Sequence, residues 1–167
     1  MTLRLILIRH AKSSWDDPLL DDHDRTLNER GRKSAHTVGK WLAEKHYLPD
    51  VVLCSTARRT VETWKILSSH LGNDAAVEIC SALYLASAHQ MLTSLSKRHE
   101  ATVLMLGHNP GTGSLAAGLV SRRPAHAQFS KYPTAATSIF EFNVSNWNAV
   151  TPGSGELVDF VVPRDLI

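Results

Sequence analysis

Leu3-Arg4-Leu5-Ile6-Leu7-Ile8, followed at once by Arg9-His10, is a nearly continuous apolar run that stops on a cation and an imidazole. A strand with one face in water alternates apolar and polar residues, whereas a strand covered by helices on both faces reads as this run does. Strands of that kind belong to mostly parallel sheets. The stretch therefore predicts an α/β fold with an Arg-His pair at the carboxyl end of a buried strand.

The unit recurs further along the chain. After a polar loop, residues 11–25, which holds Asp16, Asp17, Asp21, Asp22 and Asp24, Thr26-Leu27-Asn28-Glu29 has the spacing of a capping box. It predicts a helix with Ala35, Val38, Trp41 and Leu42 on one face, ended before Pro49. Val51-Val52-Leu53-Cys54 reads as a second buried strand, and Ser55-Thr56-Ala57-Arg58 turns into a helix phased by Val61, Trp64, Leu67 and Leu71. Residues 77–80 read as a third strand, Ser87 as the cap of a short helix bearing Met91, Leu92 and Leu95, and residues 102–106 as a fourth strand. Gly107-His108-Asn109-Pro110-Gly111 then leads into a small-residue helix over residues 113–120. Residues 121–133 are polar and irregular, and two alternating segments, 137–143 and 157–162, read as late strands. The sum is a three-layer α/β sandwich with a mostly parallel central sheet, in one domain spanning residues 1–167.

Composition bounds the function. A chain of 167 residues, 43% hydrophobic and 20% charged, fits one globular core. A net charge of +2 argues neither for nucleic acid as partner nor for a polybasic membrane anchor. The run at residues 3–8 is broken by Arg4 and followed by no small-residue cleavage site, and no stretch approaches the roughly 20 apolar residues that cross a bilayer. Cys54 and Cys80 each close an apolar run and read as buried thiols rather than a disulfide framework. A cytoplasmic protein that does not engage a membrane is the expectation.

In open α/β sheets, ligands gather outside the carboxyl ends of the strands, where helix N-termini also point. Three predicted strands end in Arg9-His10, in Ser55 leading to Arg58, and in Gly107-His108. A neutral imidazole is a competent nucleophile at phosphorus and leaves again from phosphohistidine. Arginine supplies a planar fork of donors and a charge that does not titrate, which is what the equatorial oxygens of a transferring phosphoryl group need. These residue types predict phosphoryl chemistry, with His10 as nucleophile, Arg9 and Arg58 as clamps and His108 as a donor. Arg59, Arg30 and Arg32 read as solvated helix-face charges.

The motifs around these residues are more specific than the residue types. Leu-Ile-Arg-His-Ala-Lys at 7–12, the block from Asp24 to Gly31, Cys54-Ser55-Thr56-Ala57-Arg58-Arg59-Thr60 with Glu62-Thr63, and Gly107-His108-Asn109-Pro110-Gly111 together resemble the histidine phosphatase superfamily. They are most similar to its small SixA-type phosphohistidine phosphatases. The resemblance implies a phosphoglycerate-mutase-like fold and a covalent phosphohistidine intermediate on His10, with Arg9, Arg58 and His108 around the phosphate. It also implies that Arg25 reaches the substrate and that no metal or other cofactor is required.

Two departures carry information. Ala11 stands where the wider superfamily has glycine, and residues 81–87, where larger members carry a Glu or Asp proton donor, hold no carboxylate. An alkoxide needs a general acid to leave, whereas a phosphorylated imidazole does not. The sequence therefore favours a phosphohistidine-bearing protein as substrate. The alternatives are a small-molecule phosphomonoesterase that takes an Asp from residues 16–24 as its acid, and a catalytically silent phosphate-binding module. The remaining histidines lack metal-ligand spacing, and the glycines at 107–113 fit neither a Walker loop nor a dinucleotide fingerprint. Trp41 and Trp64 read as core, and Trp15 as a residue able to flank the site.

Overall fold

A computed structural model of the chain describes residues 2–167. The opening apolar run forms β1, Leu3–Arg9, and its alternation divides the interior in two. Leu3, Leu5 and Leu7 join one buried cluster, while Ile6 and Ile8 join the other. Arg4, the one polar interruption, leaves the strand sideways to pair with Glu141 at 2.6 Å and to lie over the Tyr47 ring.

The sheet is completed by β2 (Val51–Ser55), β3 (Ala76–Cys80), β4 (Thr102–Gly107), β5 (Thr137–Phe142) and β6 (Glu156–Val161), in the order β3-β2-β4-β1-β5-β6. β1 runs parallel to β4, β4 to β2, and β2 to β3, whereas β5 and β6 are antiparallel additions on the other side of β1. The helices are α1 (Glu29–Glu44), α2 (Arg58–Leu71), α3 (Ala88–Ser96) and α4 (Gly111–Leu119). α1 and α2 cover one face through Ala35, Val38, Leu42, Trp64 and Leu67. α3 and α4 cover the other through Met91, Leu95, Leu115, Ala116 and Leu119. This is the three-layer, mostly parallel α/β sandwich expected from β1.

Two local expectations need correction, and a third holds only in part. The cap of α1 is Asn28, whose side chain accepts from the Gly31 N–H, and not Thr26. Residues 26 and 27 are held as extended chain instead: Thr26 O accepts from Ser14 N–H, and Leu27 bridges Ser13. β3 is an edge strand with Val77 and Ile79 about half exposed, so Cys80 is only half-buried while Cys54 is buried; both are free thiols. Residues 121–133 form no helix or strand, as expected, yet they send Phe129 and Tyr132 into the core. The Tyr132 hydroxyl donates to Leu7 O beneath β1 and shares a hydrogen bond with Ser138.

Candidate active site

Parallel pairing aligns the carboxyl ends of β1, β4 and β2, with Arg9 opposite Gly107 and Leu106 opposite Cys54. The residues that follow, His10, His108 and Ser55, therefore emerge along one edge. His10 extends β1 by donating its backbone N–H to Gly107 O, and Ala135 N–H donates to the carbonyls of both Arg9 and His10 from the other side. The two imidazoles stand with ring centroids 5.3 Å apart.

His10 is 6% exposed. Its Nδ1 lies 2.6 Å from Ala11 O, an acceptor only, so Nδ1 carries the proton and Nε2 keeps its lone pair. Burial is the main cause that pulls the His10 pKa down to about 3; the Ala11 carbonyl works the other way, and the charges of His108, Arg59 and Arg9 add to the depression. The ring is thus neutral at physiological pH.

His108 is buried as well, and both its nitrogens are engaged. A guanidinium only donates, so the contact from Arg59 Nη2 to Nδ1 at 3.2 Å makes Nδ1 the acceptor and leaves Nε2–H to donate to Ser55 Oγ at 2.7 Å. Burial first, then the Arg59 charge, brings the His108 pKa down to about 4.

The arginine at the end of β2 is Arg59, which corrects the expectation for Arg58. Arg58 opens α2 on its exposed side, whereas Arg59 is 3% exposed and lines the pocket. Consecutive helical residues differ by about 100° in direction, so only one of the two can face inward. The phase that decides it runs through Thr63 and Leu67, both buried, and four residues back from Thr63 is Arg59. Val61, which sets the competing phase, is only half-buried.

Arg9 donates from Nη1 to Tyr132 O. The Nε atoms of Arg9 and Arg59 are both buried with no hydrogen-bond partner among the described residues. Arg9 and Arg59 line the same pocket as the free imidazole lone pair of His10, an arrangement that suits an oxyanion.

The opposite wall comes from residues 11–28. Arg25, 7% exposed, donates from Nη1 to Ser13 Oγ and Ser14 O and from Nε to Asp22, and its guanidinium lies 3.5 Å from the centre of the Trp15 ring. Asp22 ties this wall together. It also accepts from Arg59 Nη2 at 3.0 Å and from the Tyr84 hydroxyl at 2.5 Å. Burial disfavours the Asp22 carboxylate, but the hydrogen bonds from Tyr84, Arg59 and Arg25 outweigh it and bring the pKa down to about 2.

The pocket so enclosed measures about 280 Å³ and is lined by Arg9, His10, Arg25, Arg59 and His108, with Trp15 and Leu85 exposed at its mouth. No carboxylate lines it, and among the described residues no three His, Cys, Asp or Glu side chains cluster as a metal site. The structure thus brings together His10, His108, Arg9 and Arg25 of the expected residues and leaves Arg58 outside. Arg59 and Tyr84 are additions; counting the helix period back from Thr63 finds the first, and no local pattern signals the second.

Comparison with known proteins points to one family. The family model described as histidine phosphatase superfamily (branch 1) matches residues 5–84. An uncharacterized protein of Mycobacterium tuberculosis is 35% identical over 164 residues, covering 94% of this chain and 100% of its own. Among solved structures, one named for the phosphohistidine phosphatase SixA of Agrobacterium tumefaciens superposes with a TM-score of 0.84 at 27% identity, over 96% of this chain and 98% of its own. Another named for SixA, from Nakamurella multipartitia, gives 0.80 at 26% identity over 98% and 97%.

Proposed function

The chain belongs to the histidine phosphatase superfamily and is a phosphatase, and from that premise we propose that it removes phosphate from phosphohistidine on a protein through a covalent phospho-His10 intermediate. The observation that carries this reading is the free Nε2 of a neutral His10 in a pocket also lined by Arg9, Arg25 and Arg59.

In the first step, Nε2 of His10 attacks phosphorus while the bond from phosphorus to the substrate imidazole breaks. The electron pair leaves with that imidazole, which departs neutral if its other nitrogen was already protonated. The Nδ1–H bond to Ala11 O steadies the charge that develops on the His10 ring. Arg9, Arg59 and Arg25 compensate the phosphoryl oxygens, and His108 joins them once its ring reorients so that Nε2–H exchanges Ser55 Oγ for a phosphoryl oxygen. In the second step, water attacks phospho-His10, the P–N bond breaks, and inorganic phosphate leaves with His10 restored. None of these steps requires a metal ion.

The absence of a pocket carboxylate favours this substrate class over alkyl phosphates. Asp22 is the member of the Asp-rich loop that reaches the arginines, and with a pKa held at about 2 it carries no proton to give at neutral pH. An open mouth bordered by exposed Trp15 and Leu85 also suits a histidine presented on another protein. The two free thiols are consistent with a reducing compartment, and we place the activity in the cytoplasm.

The test compares a phosphohistidine-bearing protein with an alkyl phosphate, without added metal, for the wild type and His10→Ala. Turnover of the first substrate alone, abolished by the substitution, is the expected result. Equal or faster turnover of the alkyl phosphate would reveal a proton donor and reject the proposed substrate class.

A further inference from the structure

Beside the catalytic pocket lies a second cavity of about 220 Å³, lined by Lys12, Arg30, Ser34, Gln128, Thr134 and Arg164 among others. Lys12 and Thr134 line both cavities, so the two adjoin. The fold brings its cations together from three distant segments. Gly31 lets the first turn of α1 rest directly on the Lys12 backbone, since a β-carbon there would lie 2.0 Å from Lys12 O, and Asn28 N–H donates to the same carbonyl. Arg30 is thereby set beside Lys12. On the other side, the turn Pro163–Leu166 is fixed by Asp165, which accepts from Val162 N–H and pairs with His126.

No carboxylate lines this cavity. The nearby acids are engaged elsewhere, Asp165 with His126 and Glu29 with Lys33. Three uncompensated cations around one concavity repel each other and focus a field that attracts an anion. The volume falls below the roughly 300 Å³ at which whole-ligand pockets begin, so it suits one oxyanion group of something held mainly elsewhere.

We propose that this groove is a second anion site that takes an acidic side chain of the protein presenting the phosphohistidine, an inference that rests on the function proposed above. The contrast with the catalytic pocket identifies the kind of anion. Arg59 and Arg25, which face the phosphoryl group, are 3% and 7% exposed and locked by Asp22. Lys12, Arg30 and Arg164 are exposed on long stems. They suit a carboxylate on a protein surface that docks with some latitude, and lack the rigid frame that a second phosphate would call for. Trp15, 76% exposed, and Leu85, 55% exposed, add apolar contact at the neighbouring mouth.

The experiment uses two phosphohistidine peptides that differ only in Glu or Gln beside the phosphohistidine, with p-nitrophenyl phosphate as a substrate that reads the catalytic pocket alone. The enzymes are the wild type and the double variant Arg30→Gln/Arg164→Gln. For the wild type at low salt, kcat/KM for the Glu peptide should exceed that for the Gln peptide by roughly two- to fivefold. The preference should vanish in the double variant and at high salt, with turnover of p-nitrophenyl phosphate unchanged. Equal turnover of both peptides by the wild type overturns the anion site and leaves the phosphohistidine reading intact. Should neither peptide be hydrolysed while p-nitrophenyl phosphate is, the phosphohistidine reading fails, and the groove is then read by competition with the unphosphorylated Glu peptide. Inhibition of the wild type but not of the double variant supports the anion site, and no inhibition overturns it. A wild-type preference for an alkyl bisphosphate over its monophosphate, lost in the double variant, would assign the groove to a second phosphate and overturn the acidic-protein occupant.

Discussion

Arg9, His10 and His108 stand at the ends of β1 and β4, where the sheet ladder and the Ala135 N–H fix the backbone on either side. The facing wall, which carries Arg25, is held from behind by side-chain hydrogen bonds from Arg25, Arg59 and Tyr84 that meet on the half-exposed carboxylate of Asp22. The first wall is positioned by the same burial that stabilises the protein. The second is positioned by polar contacts among groups that are close only because the rest has folded. Arg59 belongs to both, since it touches His108 on one side and Asp22 on the other.

The contrast ranks the expected effects of substitution. Replacing His10 by alanine should reduce turnover to background and leave no acid-labile phosphate on the protein after rapid quenching from a radiolabelled donor. Residual labelling would mean that another residue is the nucleophile. Arg59→Ala should lower kcat/KM by about 10²- to 10³-fold. Arg58→Ala, on the exposed side of the same turn, should stay within roughly twofold of wild type. Reversed effects would restore Arg58 to the site. Asp22→Asn keeps the shape of the loop wall and removes its charge, and kcat/KM should fall by about tenfold. A loss confined to alkyl phosphates would instead identify Asp22 as a proton donor.

A separate effect is on stability in acid. His10 and His108 have pKa values of about 3 and about 4 in the folded protein, below the ordinary histidine value of 6.5. Between those limits the unfolded chain binds protons that the folded one does not, so stability is full above pH 6.5 and declines as the pH falls through this window. Each histidine contributes up to about 1.4 kcal/mol per pH unit to that slope. Thermal melts of the wild type and His108→Gln from pH 7 to pH 4.5 should show a shallower decline in the variant. Parallel declines would mean that His108 is protonated in the folded state.

The same division explains what the sequence reveals. β1 and β4 are legible because burial on both faces leaves an unbroken apolar run, and the polar residues that end each run must then lie at the sheet edge. The loop wall has no such signature. Thr26 and Glu29 have capping-box spacing, but Leu27 N–H is taken by Glu62, and Glu62 also pairs with Arg32, so Asn28 becomes the cap. Arg58 and Arg59 are chemically identical neighbours, and their directions differ only through the phase of α2. Cys80 reads as a buried thiol because composition does not say that β3 ends the sheet.

The mixed pairing of β1 has a consequence for how the protein is made. β1 precedes both its neighbours by a long stretch of chain, with Arg4 beside Thr102 on one side and Glu141 on the other. During synthesis its apolar residues emerge well before the strands that shelter them, which raises contact order and gives a chaperone a segment to hold. His10, at the tip of this strand, is held in the folded protein by the Ala135 N–H, which donates to its carbonyl just before β5. A nascent chain halted before β5 would lack the Ala135 hydrogen bonds to Arg9 and His10, and with them turnover.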